Sequence, residues 1–483
     1  MTDCLYVLDL GANRAEGMNA DFGGDEQPKA MIQQFRDDPI DRDHDKVERH
    51  MTGEPDMRAG THPNARNALE ACVARIEENN LRFNAVAELF LGRARDRADM
   101  LDRAALDGQP LGALHGVPIL FKGLVDIEGY PTVFGSVAFA TSPAARNAPV
   151  IDRLEAAGAI VFGTTNMVEF AVGGWGTNAV QGTPWNPADL TRHRVAGGSS
   201  SGSAVAVAAG FAPIAFGSDT GGSVRIPATL CGIVGFKPSY GLIPLQGVAA
   251  TGPSFDTLGP LARSVGEARI AAEAAAGMRF LHPPVSLNGL RLLHLSDAAL
   301  APADPAVMES YHQALARLAQ AGAVAEEITL PLSLFDVQML NGDIVAYEAY
   351  RQLRAIVDND AAEIDPFVRQ RVRHGAMIDD AAYRQLLMDL HAFRQSVQNR
   401  FDDADVLVLP GTPLPAPPVD EVDESEMPMS RYTRLSNCLN HCAIALPIAA
   451  NPLPTGIQLA ASHGRDAKLL AIAEAVEALL QSG

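Results

Sequence analysis

The sequence predicts an α/β protein whose β-sheet carries helices on both faces. Short apolar runs with strand composition alternate with helical segments along most of the 483-residue chain, which is the order expected of such a sheet. Hydrophobic residues make up 47% of the chain, enough for a large core. We find no internal repeat.

The chain begins with a polar, acidic segment, residues 1–60, that shows no persistent apolar period. We predict that it is a peripheral or disordered extension. His44 and His50 lie among aspartates here, but without tetrahedral ligand spacing a solvated charge run is the favoured interpretation over a metal site.

Residues 61–483 are predicted to form a single domain, which starts with helices. Apolar residues from Leu69 to Ile76 follow helical spacing, and residues 85–106 continue as a surface helix with outward Arg/Asp pairs. An apolar strand within 114–123 ends at Lys122, and a helix from Pro149 precedes a strand at 159–163.

The remaining elements alternate in the same way. The sequence indicates helices at 203–210, 305–321 and 466–481, a mostly helical region at 335–402, and strands at 212–217, 290–297, 405–410, 443–450 and 455–462. A Pro-rich acidic stretch at 410–428 is predicted to be a surface loop.

Charge and cysteine content limit the class of protein. The formal net charge of −20 argues against nucleic acid or an anionic membrane as the main partner. The sequence contains no apolar stretch long enough for a transmembrane helix, and its start does not resemble a secretory signal. Five scattered cysteines do not form a disulfide framework, so a cytoplasmic location is predicted.

The stretch 195–227 contains two Gly-Gly-Ser clusters separated by apolar segments, a pattern unlike that of a flexible linker. Paired glycines present backbone N–H groups that suit an oxyanion, and a serine ending such a turn can attack a carbonyl. A base is then needed. Lys122 qualifies if burial lowers its pKa by about three units, although a lysine ending a strand more often extends to solvent.

Two other motifs are possible sites. Residues 198–202 match G-x-S-x-G, which would make Ser200 the nucleophile, but no strand directly precedes them. Cys438, His441 and Cys442 lie within one helical turn, yet no second pair completes a metal site, and buried small residues are the commoner explanation.

Three segments together resemble the amidase signature family: LHGVPILFKG with Lys122, AGGSSSGS with Ser199, and GSDTGGSVRIPA with Ser223. Further segments across residues 60–480 are similar to family members. The resemblance implies a large mixed β-sheet flanked by helices, with a helical layer in the C-terminal half. It also implies that region 335–402 contributes to the substrate pocket.

The family resemblance also implies roles for individual residues. Ser223 would be the acyl-enzyme nucleophile, Lys122 the general base, and Ser199, preceded by a cis peptide bond, the bridge between them. The backbone N–H groups of Thr220, Gly221, Gly222 and Ser223 would form the oxyanion hole. One departure is Gly123, where the family usually has Asp.

Trp175 and Gly198 are the sequence's candidates for substrate contact. Trp175 lies near the segment where family members line or cover the acyl pocket, and a loop anchored by a buried indole is the alternative.

The function implied is hydrolysis of a small-molecule amide through a seryl acyl-enzyme, with no metal or organic cofactor, by a homodimer. Aryl, aliphatic and ureido-type amides all remain open. One rival is the glutaminase component of a tRNA-dependent amidotransferase, although the Tyr-rich helical segment of that branch is absent. The other is a non-catalytic subunit on the same fold.

Overall fold

A single eleven-stranded sheet runs through the described part of the chain, in the strand order β1-β3-β2-β4-β6-β5-β10-β11-β9-β7-β8. The computed structural model describes residues 64–139, 141–448 and 452–482. The strands are β1 Val86–Leu89, β2 Pro118–Lys122, β3 Ile160–Thr165, β4 Ile214–Asp219, β5 Val234–Lys237, β6 Thr257–Ala262, β7 Arg291–Leu295, β8 Val324–Ile328, β9 Val406–Pro410, β10 Cys442–Ile448 and β11 Thr455–Ala461.

Thirteen α-helices accompany this sheet within the same described ranges. They are α1 Ala65–Phe83, α2 Leu91–Leu106, α3 Pro149–Ala156, α4 Ser201–Ala208, α5 Arg225–Cys231, α6 Val265–Ala276, α7 Asp297–Leu300, α8 Pro305–Gln320, α9 Leu334–Val357, α10 Pro366–His374, α11 Asp380–Asp403, α12 Thr433–Cys438 and α13 Asp466–Gln481. Helices α9, α10 and α11 form the helical layer expected in the C-terminal half.

The sheet is mixed. Strand β2 pairs in parallel with β3 and β4, and β7 pairs in parallel with β8 and β9. The other neighbours, including β4–β6 and β10–β11, are antiparallel. The predicted mixed α/β architecture is therefore confirmed.

Both faces of the sheet are buried, as strand β2 shows. Ile119 and Phe121 belong to one hydrophobic cluster, whereas Leu120 between them belongs to another. Because successive side chains of a strand point to opposite faces, the sheet has a core on each side. This explains why its central strands are apolar without alternation.

One predicted helix begins too early. The surface helix predicted over 85–106 starts at Leu91, because Val86–Leu89 form β1 and pair antiparallel with β3. Asn84 ends α1 in the left-handed conformation, with φ of 48°, so the chain turns before it enters the strand. The prediction for residues 1–60 and for His44 and His50 lies outside the described residues.

None of the helices in the described ranges is long and apolar enough to cross a membrane. The thiols of Cys438 and Cys442 are buried and donate to different carbonyl groups, those of Val337 and Ala461. No group of three or more His, Cys, Asp or Glu side chains suited to a metal ion occurs among the described residues.

Candidate active site

The site is built where two parallel strands end side by side. Strands β2 and β4 are parallel neighbours, with Phe121 opposite Phe216, so their carboxyl ends lie at the same edge of the sheet. Lys122 is the last residue of β2, and Ser218 and Asp219 are the last two of β4. The arrangement brings a lysine, a hydroxyl and a carboxylate from distant parts of the chain to one edge.

Lys122 is fully buried, and within the described ranges its amine forms hydrogen bonds with hydroxyl groups only. Its Nζ donates to Ser199 Oγ at 2.7 Å and to Ser218 Oγ at 2.9 Å. Burial lowers the pKa of Lys122 to about 7, against smaller opposing effects of Asp256 and Asp219. A lysine in this state is neutral in a large fraction of molecules at neutral pH, which a general base requires.

Ser199 and Ser223 occupy two loops that meet. The Gly198–Ser199 peptide bond is cis, as the family resemblance implies, and Ser199 is fully buried. The amide of Ser200 donates to the carbonyl oxygen of Ser223 at 3.2 Å and so joins the loops. Among the described residues, the Ser223 hydroxyl makes no hydrogen bond. The Lys122–Ser199 half of the expected relay is therefore present, and the Ser199–Ser223 half is not formed.

A cavity of about 60 Å³ opens beside Ser223. Its lining includes small residues of both serine loops, such as Gly198, Thr220 and Gly221. Gly198, a candidate for substrate contact in the sequence, is thus one of the lining residues, and the contact itself stays a prediction. Neither Lys122 nor Ser199 is among the residues that line it.

The loop after β4 is shaped by Asp219 and Arg225, to which the sequence alone assigned no role. Both are fully buried, and Arg225 Nη2 donates to Asp219 Oδ1 at 2.9 Å. Burial would raise the pKa of Asp219, but the charge and hydrogen bonds of Arg225, with help from Lys237 and Asn437, outweigh it and hold that pKa at about 2. Asp219 is therefore ionised whenever the protein is folded near neutral pH.

The ionised Asp219 accepts hydrogen bonds from the amides of Gly222 at 2.9 Å and Val224 at 3.2 Å. This corrects the expected role of Gly222, because its single N–H points to Asp219 rather than into the cavity. The amides of Thr220, Gly221 and Ser223 donate to no described residue, and their role as oxyanion donors stays a prediction. Gly222 is required for another reason: at its φ of 125° a Cβ would lie 2.0 Å from Thr433 Oγ1.

Trp175 does not line the cavity, which corrects the second candidate for substrate contact. The residue is 5% exposed and packs among Val195, Ile226 and Met429. Its Nε1 donates to the carbonyl oxygens of Asp423 and Glu426, at 3.2 and 3.0 Å. The indole therefore anchors the 423–427 loop, the alternative that the sequence left open.

Ser200, the nucleophile of the G-x-S-x-G alternative, is fully buried and outside the cavity lining. Its hydroxyl donates to the carbonyl oxygen of Ser218 at 3.3 Å. Gly123, the departure from the family pattern, follows β2 with its amide bonded to Thr165 O at 3.2 Å. A Cβ at Gly123 would lie 3.3 Å from that same oxygen, so the backbone is closely packed at this position.

A second cavity of about 540 Å³ adjoins the first, and the two share Val172, Val345, Met427 and Arg434 in their walls. Helix α9 forms much of its wall, through Gln338, Met339 and Gly342 among others. Helices α9 and α10 of the predicted helical region therefore line the larger cavity, and α11 contributes no residue to either lining.

Comparison with known proteins agrees with this geometry. The Amidase family model matches residues 67–470. The chain is 34% identical to 2-amino-5-chloromuconic acid deaminase of Comamonas testosteroni, over 86% of this chain and 92% of that protein. It is 33% identical to the A subunit of glutamyl-tRNA(Gln) amidotransferase from a Picosynechococcus species, over 84% and 92%. An amidase crystal structure superposes with a TM-score of 0.79 at 34% identity, covering 86% of this chain and 96% of the other. The chain belongs to the amidase signature family, whose members hydrolyse amide C–N bonds.

Proposed function

We propose that this enzyme hydrolyses a small-molecule carboxamide through an acyl-enzyme on Ser223, with Lys122 as general base and Ser199 as the bridge. The observation that carries the proposal is the state of Lys122. It is fully buried, is bonded to the Ser199 and Ser218 hydroxyls, and has a pKa lowered to about 7. A lysine at a strand end more often extends its amine to water. Lys237, which ends β5, is buried as well, but its amine donates to the carbonyl oxygen of Pro238 and not to serine hydroxyls.

In the first half-reaction the Ser223 oxygen attacks the amide carbonyl carbon. Its proton passes to Ser199 Oγ while the Ser199 proton passes to the neutral Lys122 amine. The negative charge on the former carbonyl oxygen is stabilised by the amides of Thr220, Gly221 and Ser223. The C–N bond then breaks, and the proton returns through Ser199 to the leaving nitrogen, which departs as ammonia or an amine.

In the second half-reaction water takes the place of Ser223 as nucleophile. A water oxygen attacks the acyl-enzyme, the same relay removes its proton, and the proton goes to the departing Ser223 oxygen. The products are a carboxylic acid and regenerated enzyme. The relay needs Ser223 to approach Ser199, and catalytic hydrogen bonds that are long in an empty site commonly tighten once substrate is bound.

Replacement of Ser223 by Ala tests the assignment on a panel of aryl, aliphatic and ureido-type amides. We expect product release to fall to the uncatalysed level, and hydroxylamine to trap an acyl group from the wild type only. Ser200→Ala is the matched control at the neighbouring hydroxyl and is expected to keep the acyl-enzyme. Full activity in Ser223→Ala would exclude the mechanism.

A second function has support from the relatives. Several of them are A subunits of glutamyl-tRNA(Gln) amidotransferase, at 30–34% identity over most of both chains. In that case the substrate would be glutamine, and glutaminase activity would rise when the partner proteins and tRNA are added. The homodimer and the cytoplasmic location stay predictions of the sequence.

A further inference from the structure

Arg434 stands in the wall between the two cavities. It belongs to α12 and lines both the small cavity beside Ser223 and the larger one next to it. A Cβ built on Gly221 would lie 3.3 Å from Arg434 Nε. The guanidinium therefore lies one side chain's width from the loop that holds the oxyanion donors.

The guanidinium is held in place from two sides. Nε donates to Ser430 Oγ at 3.0 Å, and Nη1 donates to the carbonyl oxygen of Gln338 at 2.9 Å. Gly342 on α9 leaves the room for this approach, since a Cβ there would lie 2.8 Å from Nη1. An arginine fixed in this way loses little further conformational freedom when it binds a ligand.

Its charge has no partner in the described structure. Guanidinium has five N–H donors, and only the two bonds above are made, so both hydrogens of Nη2 have no acceptor among the described residues. No described carboxylate oxygen lies within 4.0 Å of its nitrogens. The nearby Asp343 is bonded to His374 instead, at 3.0 Å. Burial lowers the pKa of Arg434 to about 10, which still leaves it cationic near pH 7.

The neighbouring arginines differ. Arg371, in the wall of the larger cavity, is neutralised by an ion pair of 2.9 Å with Glu424. Arg431 is partly buried, as Arg434 is, but it donates to the carbonyl oxygen of Pro302 and does not line the small cavity. A partly buried cation without a counter-charge at a cavity wall attracts anions, so the position of Arg434 favours an anion that arrives with the substrate.

We propose that Arg434 binds a carboxylate of the substrate, so that the enzyme acts on amides bearing a carboxylate a few bonds from the scissile carbonyl. This inference rests on the proposed amidase function. A carboxylate suits the two parallel donors of a guanidinium. The separation is short because Arg434 is adjacent to Gly221, and because a cavity of this size holds only about four water-sized groups.

Protection of Ser223 from a neutral fluorophosphonate is the test, with peptide mass spectrometry to locate the label. The protecting ligands are the monoamides of malonic, succinic and glutaric acids and N-acetylglycine, each compared with a neutral amide of matched length. In the wild type we expect at least one carboxylate to protect about 30-fold better than its neutral partner, the size of a charged hydrogen-bonded contact. Equal protection by every pair would overturn the inference.

The variants assign the effect to Arg434. The protection ratio is the protection of Ser223 by a carboxylate ligand divided by the protection by its neutral partner. For the ligand pair with the largest ratio in the wild type, we expect Arg434→Gln to bring this ratio to within about threefold of one. Arg434→Lys keeps the positive charge but not the parallel N–H donors of the guanidinium, and it should give an intermediate ratio. Arg431→Gln removes a nearby positive charge and should leave the ratio within about threefold of the wild type. A wild-type ratio in Arg434→Gln would contradict the assignment.

Failure of the proposed function has a different signature, because it would leave Ser223 unlabelled without any ligand. Labelling of Arg434→Gln in the absence of ligand serves as the folding control. If that variant does not label, the wild-type ratio and Arg434→Lys still decide the inference.

Discussion

Two basic side chains, Lys122 and Arg225, are fully buried near the end of strand β4, yet their surroundings are opposite. In the described part of the chain the Lys122 amine is hydrogen-bonded only to the hydroxyls of Ser199 and Ser218, and burial lowers its pKa to about 7. Arg225 contacts the Asp219 carboxylate, with further bonds to Gln458 and Asn437 at 2.9 and 2.7 Å. One environment favours loss of a proton, and the other retains charge on both partners.

The two environments suit different roles, proton transfer for Lys122 and support of the serine loop for Arg225. Neutral acceptors around a buried amine leave its desolvation uncompensated, so the neutral form is favoured. A carboxylate contact would have raised the pKa of Lys122 and removed its use as a base. The ion pair of Arg225 instead fixes Asp219, whose oxygens hold the amides of Gly222 and Val224 and thereby the shape of the loop that carries Ser223.

The largest effect is expected on the Lys122 side. In Lys122→Met the amine is lost while the stem stays, so kcat/KM should fall by about 10⁴-fold, the upper range for a general base. Since no buried charge is left unpaired, the thermal midpoint should equal or exceed that of the wild type. Steady-state kinetics and calorimetry check both, and a variant that unfolds would show that Lys122 is structural.

Disruption of the Arg225–Asp219 ion pair should mainly lower the stability of the protein. Asp219→Asn leaves Arg225 buried without its counter-charge, which costs about 3–5 kcal/mol of unfolding free energy. Urea unfolding measures it. The surface pair Arg400–Glu326, at 2.9 Å with both side chains at least half exposed, is the control, and Arg400→Gln should change the unfolding free energy by less than about 1 kcal/mol.

The pH dependence sharpens the comparison further. The active form of Lys122 is neutral, and burial lowers its pKa to about 7. The value of kcat/KM should therefore rise about tenfold per pH unit below 7 and become flat above it. Asp219, with a pKa of about 2, stays ionised between pH 5 and 9 and should cause no change of kcat/KM in that range. A rising limb near pH 10 instead would mean that Lys122 is not the base.

The smallest effect is expected at Ser218, a positioning residue. Its Oγ accepts a hydrogen bond from Lys122 at 2.9 Å, and an ammonium group gains more from that bond than an amine does. Ser218→Ala should lower kcat by less than about tenfold, the value of one hydrogen bond. Because the ammonium form of Lys122 loses a hydrogen bond, the rise of kcat/KM with pH should move to lower pH. Ser218→Thr keeps the hydroxyl and should restore the limb, whereas an unchanged limb in Ser218→Ala would contradict the role.

The sequence predicts the sheet well where strands are apolar and uninterrupted, as in β2, β4 and β9. It fails at β1, where four residues become a strand only because β3, more than 70 residues later, supplies a partner. The resemblance located Lys122, Ser199 and Ser223 because their motifs are local.

Other site residues depend on contacts that no local motif records. Arg225 meets Thr433, Asn437 and Gln458, more than 200 residues further along the chain, and Arg434 reaches the cavity from the same distant segment. Trp175 was misassigned for the same reason, since its partners Asp423 and Glu426 are also remote.

Covalent labelling with a broad serine-reactive phosphonate, followed by peptide mass spectrometry, tests the Ser223–Ser199–Lys122 mechanism most directly. We predict that the label is on Ser223, that its rate of formation rises through pH 7, and that it is lost in Lys122→Ala but kept in Ser200→Ala. A label on Ser200, or on Ser223 at an undiminished rate in Lys122→Ala, would contradict this mechanism.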